Sequence, residues 1–258
     1  MKETIEKIKK EDDIAVVKTK TAKNISTGPS VEEMTEAGLQ FGHKTSKLNP
    51  KMKSFLYGAR NGINVFDLEK TKEKFEGVLR FVKEIVSQGK IILFVGTKIQ
   101  IKNSVKETAQ ECKMPYVSER WLGGTLTNFP TITKRIEYFK ELERKKAAGE
   151  LEKYTKKERA QFNKELSDLE RKFSGIRDMT VLPDAVFVID APKDDLVIKE
   201  AKSKNITIIG IADTNCNPDW FDYFIPANDD SISSVRFVLD KVKNTILKNK
   251  SETKTKPE

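Results

Sequence analysis

Residues 91–98 read Ile-Ile-Leu-Phe-Val-Gly-Thr-Lys. Five consecutive large apolar side chains suit a strand covered on both faces, and a run that short cannot span a bilayer. Gly96 then allows a tight turn, and a helix is expected from Lys98 to about Glu111. A doubly covered strand needs parallel neighbours, so the rest of the chain has to supply them.

It does so in both directions. Upstream, a helix is expected from Glu69 to about Ser87, stopped by Gly89. Downstream, strands are expected at Pro115–Val117, Ala185–Ile189, Ile206–Ile211 and Tyr223–Ile225. They alternate with helices near Asp194–Lys202 and Ser231–Leu247. Repeated strand–helix–strand units imply an α/β fold, a parallel sheet with helices on both faces and right-handed crossovers. Before this unit, Phe55–Tyr57 and Ile63–Phe66 flank Asn61-Gly62 and read as a β-hairpin. Ser30 and Glu33 have capping-box spacing for a short helix through Ala37.

Residues 131–175 change character. Ile132, Ile136, Phe139 and Leu142, then Phe162, Leu166, Leu169 and Phe173, form two narrow apolar stripes on charged helices. Gly149 interrupts the first, and Thr155 with Glu158 offers a capping box for the second. The expectation is an antiparallel coiled-coil hairpin inserted in an α/β domain made of residues 30–130 and 176–248. The insertion holds 13 basic and 9 acidic residues, so it carries +4 and suits contact with RNA or protein; a merely solvated helical pair would also explain its charges. Residues 1–29 and 249–258 are polar and are expected to be a disordered extension and tail.

The 258 residues include 48 Lys plus Arg against 39 Asp plus Glu, a net charge of +9. An excess of that size favours a polyanionic partner, although a Lys-rich soluble protein would show it too. Neither a signal peptide nor a membrane span is evident. Cys112 and Cys216, far apart and outside any CxxC, fit reduced thiols and exclude a disulfide scaffold or zinc finger.

Catalytic patterns are missing. After Gly96 the next glycine is Gly123, so the dinucleotide fingerprint fails, and GxxxxGK[ST], GxSxG and HExxH do not occur. The one histidine, His43, has no serine or cysteine motif beside it. Asp190 and Asp213 fall at strand ends near one another, but two carboxylates and one histidine make no zinc motif. No catalysis, cofactor or metal is expected. The Gly96-Thr97-Lys98 turn is either a tight corner or an anion site, and an RNA phosphate would fit it as well as a nucleotide.

From Ala37 to Phe66 the chain holds Lys44, Lys47, Lys51, Lys53 and Arg60 with no Asp or Glu. Aromatics and glycines flank these bases, a composition suited to phosphate and 2′-hydroxyl contacts on folded RNA. A solvated basic loop is the plainer alternative, and the lack of compensating acids favours the polyanion contact. The run Arg120-Trp121-Leu122-Gly123-Gly124-Thr125-Leu126-Thr127-Asn128-Phe129 sets a bulky aromatic beside paired glycines. That fits a buried anchor at a structural corner, with base stacking by Trp121 as the alternative.

Several segments occur in one recognisable order. They are Phe41-Gly42-His43-Lys44-Thr45, Asn49-Pro50-Lys51-Met52-Lys53, Gly58-Ala59-Arg60-Asn61-Gly62-Ile63 and Asp67-Leu68-Glu69-Lys70-Thr71. Phe94–Lys98, Arg120–Phe129, Leu182–Asp190, Gly210–Pro218 and Ile225–Asp230 follow. Together they resemble the bacterial-type ribosomal protein S-two family of the small subunit over about residues 31–248, the Arg120–Phe129 run being the most specific. The resemblance implies a flavodoxin-like or Rossmann-like domain with an inserted coiled-coil hairpin. It further implies a cytoplasmic, non-enzymatic role in the small ribosomal subunit, bound to 16S-type rRNA between head and body. Neighbouring small-subunit proteins would be its partners, in many bacteria including the mRNA-binding protein S-one. Ala59, where an acidic residue is usual, and the polar stretch before Pro29 depart from the pattern. No family motif fixes the RNA contacts, so the expected set rests on charge and placement: Lys44, Lys47, Lys51, Lys53, Arg60, Asn61, Lys98 and Arg120.

Overall fold

The computed structural model describes residues 28–253, and the expectations for residues 1–27 and 254–258 lie outside them. Helix α1 (Val31–Glu36) opens with a reciprocal cap. The Glu33 amide donates to the Ser30 hydroxyl at 3.1 Å, and the Ser30 amide donates to the Glu33 carboxylate at 3.3 Å. Strands β1 (Phe41–Lys44), β2 (Leu56–Arg60) and β3 (Ile63–Phe66) form a small antiparallel sheet in the order β1-β3-β2. Asn61 and Gly62 join β2 to β3 with φ of 51° and 75°, the two positive values that a type I′ hairpin turn requires. Strand β1 was not foreseen. Phe-Gly-His-Lys has one apolar residue and no alternation to mark it.

Helix α2 (Leu68–Ser87) is capped by Asp67, whose carboxylate accepts from the Glu69 and Lys70 amides. The main sheet then assembles from β4 (Ile92–Val95), β5 (Tyr116–Val117), β6 (Ala185–Val188), β7 (Thr207–Ala212) and β8 (Tyr223–Pro226), all parallel, in the order β5-β4-β6-β7-β8. With the first strand second in the sheet, this is the flavodoxin-type order. It reverses direction between β4 and β6, where such sheets leave a crevice at the strands' carboxyl ends. Helices α3 (Lys102–Cys112), α6 (Asp195–Ser203) and α7 (Ile232–Thr253) complete the α/β unit.

Side-chain parity divides the core in two. Ile92, Phe94, Ala185, Phe187, Ile209, Ile211 and Ile225 face α2, α3 and α7. Leu93, Val95, Val186, Val188, Ile208 and Ala212 face the layer holding Trp121, Val197 and Ile198. Neighbouring residues of one strand thus serve opposite layers, which is why Ile91–Val95 reads as an unbroken apolar run. Each fully buried side chain of this size contributes roughly 1.5–3 kcal/mol. Gly210 sits where a Cβ would collide with the Val188 carbonyl oxygen of the adjacent strand.

Between β5 and β6 the chain forms α4 (Phe129–Ala147) and α5 (Lys156–Phe173), which pack on each other. Ile132, Ile136, Phe139, Leu142, Leu166 and Phe173 are buried, and the Thr155–Glu158 cap forms as expected. Two boundaries differ from the sequence reading. Residues 98–101 make a turn closed by hydrogen bonds to the Lys98 carbonyl, so α3 starts at Lys102. Helix α7 continues to Thr253, past the expected start of the tail at 249. The Lys250 ammonium donates to the Cys112 carbonyl at 2.8 Å and holds that last turn against the domain. Among the described residues, no helix is long and apolar enough to cross a membrane.

Candidate nucleic-acid interface

The acid-free stretch folds into an exposed basic ledge on and beside the small sheet. Two 3-10 turns, Thr45–Lys47 and Pro50–Phe55, connect β1 to β2. The Asn49 carboxamide oxygen accepts from the Lys51 amide at 3.1 Å, and the Asn49 amide donates to the Thr214 carbonyl at 2.8 Å. Met52 is fully buried beneath the second turn, while Lys51 and Lys53 on either side of it are exposed. Lys44, Lys47, Arg60 and Asn61 are exposed as well. Tyr57 of β2 is 85% exposed and Phe41 of β1 48%, so the ledge offers aromatic faces beside its cations. Lys51 is ion-paired to Asp219, which partly neutralises it.

The ledge is bolted to the carboxyl ends of the main strands. The His43 amide donates to the Thr214 hydroxyl at 2.9 Å. Its Nδ1 lies 3.1 Å from the buried Asp213 carboxylate, and its Nε2 lies 3.3 Å from Asp230. The Asn64 side-chain carboxamide on β3 donates to the His43 carbonyl at 3.0 Å. Gly42 is needed here because a Cβ would collide with the Thr214 side chain. The Asp213 hydrogen bond, joined by the charges of Asp229 and Asp230, raises the His43 pKa above its ordinary value and outweighs burial.

Lys98 points into this cluster. Its ammonium lies 3.0 Å from Asp190, 2.7 Å from Asp229 and 2.8 Å from Asp230. Burial pulls its pKa down, but the three carboxylates outweigh that and hold it above the usual lysine range. Asp229 itself is pushed up to about 7, by burial first and by Asp213 next. One ligand atom each from His43, Asp229 and Asp230 lie within 4.8 Å of one another, a spacing that could hold a metal ion; the Lys98 ammonium already neutralises two of these groups. Of the strand-end acids singled out in the sequence, Asp213 touches His43 and Asp190 pairs with Lys98.

Arg120 stands elsewhere, exposed at the start of the glycine-paired corner. Beside it Trp121 is buried, and its indole donates to Glu200 of α6 at 3.1 Å. The same carboxylate accepts from the amides of Gly124 (2.8 Å), Leu126 (3.0 Å) and Thr127 (3.1 Å). Burial would raise the Glu200 pKa, yet these donors hold it below the usual value. The structure therefore gathers Lys44, Lys47, Lys51, Lys53, Arg60 and Asn61 on one antiparallel unit. It turns Lys98 inward and sets Arg120 on a separate loop.

Asp229, Asp230 and Glu200 escaped the sequence reading. The first two lie in the turn after β8, three and four residues past Pro226, at the same end of the sheet as Asp190 and Asp213. Nothing in the sequence around Glu200 distinguishes it from an ordinary solvated helix residue.

Residues 34–249 match the family model described as Ribosomal protein S2. The chain is also 46% identical over 218 residues to the small ribosomal subunit protein uS2 of Geotalea uraniireducens (strain Rf4), an overlap of 84% of this chain and 85% of that one.

Proposed function

The chain belongs to the Ribosomal protein S2 family, and from that premise we propose that the basic ledge is the surface by which it grips small-subunit rRNA. The protein is a structural constituent of the small ribosomal subunit and not an enzyme. Its strand-end crevice, where an α/β enzyme would bind its ligand, is filled by the Lys98 ammonium and the carboxylates around it.

The observation that carries the reading is a run of exposed cations, Lys44, Lys47, Lys53 and Arg60, with no acid in their own segment and a rigid tether through His43. Asn61 at the hairpin tip presents an amide for ribose or phosphate contact, and Lys51 contributes once Asp219 releases it. Arg120 makes a second point of contact. Lys98 acts as an internal strut that holds the strand ends together beneath the ledge.

The paired helices α4 and α5 form, in this reading, a coiled-coil arm that reaches RNA or a neighbouring subunit protein, S-one among the candidates. The protein works in the cytoplasm, where subunits assemble. The test is binding of the purified chain to protein-depleted small-subunit rRNA over a range of salt. Tight binding with a steep salt slope, flattened by Lys44→Ala, Lys47→Ala and Lys53→Ala together, supports the ledge. A slope unmoved by the triple substitution overturns it.

A further inference from the structure

At the end of the main sheet opposite His43 and Lys98, the C-terminal ends of α2, α3 and α7 meet the starts of β4 and β5. They leave a groove of about 1050 Å³. Apolar side chains line much of it: Val86, Ile91, Met114, Tyr116, Met179 and Leu247. Lys90 and Lys113 line it too; both are exposed and have no ion-pair partner among the described residues, whereas the two lining acids, Glu111 and Asp178, are matched by Lys243 and Lys140. An apolar groove of this size, edged by unpaired cations, suits a short segment that is apolar in its middle and acidic beside it.

We propose that the groove seats this chain's own N-terminal segment, with Ile14-Ala15-Val16-Val17 on the apolar floor and Glu11-Asp12-Asp13 against Lys90 and Lys113. Those four residues are the longest apolar run among the 27 that precede Gly28, and the acidic triplet adjoins it directly. The reach is sufficient. Gly28 lies against Glu76 on α2, ten residues before Val86 and so about 15 Å from it along the helix axis. Ten residues lie between Val17 and Gly28, so eleven steps of chain give an extended span of roughly 36 Å. Covalent attachment also supplies an effective concentration on the order of millimolar, so four apolar side chains and a few ion pairs suffice to hold the segment. A stretch too polar to fold alone thereby acquires a partner within its own chain.

The test uses the full-length chain carrying Ala15→Cys, with a nitroxide label on the new thiol and isotope-labelled methionine methyl groups. Cys112 and Cys216 are buried and stay unlabelled. The expected result is loss of most of the Met114 and Met179 methyl intensity, recovered when the nitroxide is reduced. Met52, which lies beneath the Pro50–Phe55 turn at the opposite, carboxyl ends of the main strands, keeps its signal. Adding Val16→Asp, or Lys90→Glu with Lys113→Glu, should reverse the broadening. Full-strength Met114 and Met179 signals in the labelled chain would sink the proposal and leave the groove to another occupant, such as a subunit neighbour. Broadening that survives both sets of substitutions would sink it equally.

Discussion

Glu200 and Trp121 are joined across 79 residues by a 3.1 Å hydrogen bond from the indole nitrogen to a buried carboxylate. The carboxylate also gathers three backbone amides of the following turn, so one α6 side chain fixes the corner from which α4 departs. Hydrogen bonds to a charged group are worth about 1.5–3 kcal/mol each, and a buried donor left without an acceptor costs a further 1–3 kcal/mol. Glu200→Ala is expected to destabilise the fold by about 4 kcal/mol, read as a lower urea midpoint. Glu200→Gln keeps an acceptor but turns an NH₂ group toward N–H donors, and should lose about half as much.

Lys98 separates a strut from an RNA contact. Lys98→Ala leaves the buried Asp190 and Asp229 carboxylates without the ammonium that faces them, and breaking a buried pair costs about 3–5 kcal/mol. The urea midpoint should fall accordingly, while the salt slope of RNA binding by the folded fraction stays unchanged. A flattened slope would return Lys98 to the interface.

The His43 cluster sets a pH dependence. His43 has a raised pKa in the folded state, so its contribution is fully present below the ordinary value of 6.5 and is lost as pH rises through the folded value. Asp229, pushed up to about 7 from 3.8, acts in the same sense: the folded chain holds more protons than the unfolded one over that interval. Stability measured by urea titration should therefore decline from pH 6 to pH 8.5. His43→Gln should make the decline shallower, and an identical slope in the variant would count against the assignment.

The ledge predicts a counting result. Each phosphate contact removed lowers the magnitude of the salt slope by about 0.7–0.9. Lys53→Ala should cost one such step and the Lys44, Lys47 and Lys53 triple about three, seen by filter binding between 50 and 200 mM salt. Lys51→Ala should cost less than Lys53→Ala, because Asp219 already competes for its charge.

The main sheet was legible because every inner strand is covered on both faces and writes itself as a continuous apolar run. The Asn61-Gly62 turn and both capping boxes were legible because each depends on residue types at fixed spacing. Strand β1 was not, since its place is set by a hydrogen bond from His43 to Thr214 and one from Asn64 to His43, both between residues well separated in sequence. The exposed bases could be named from composition, but their separation into a ledge, an inward Lys98 and a distant Arg120 could not. That partition depends on which carboxylates the strand ends bring within reach of Lys98, and no local pattern records it.

His43 grips two strand-end carboxylates while its backbone is held by Thr214 and Asn64. A face braced in this way is pre-organised and surrenders little conformational entropy when a ligand lands on it. On the proposed reading, the bending at that contact falls to the nucleic acid. The protein would then behave as a mould, favouring from the many shapes open to young rRNA the one that already matches its contour.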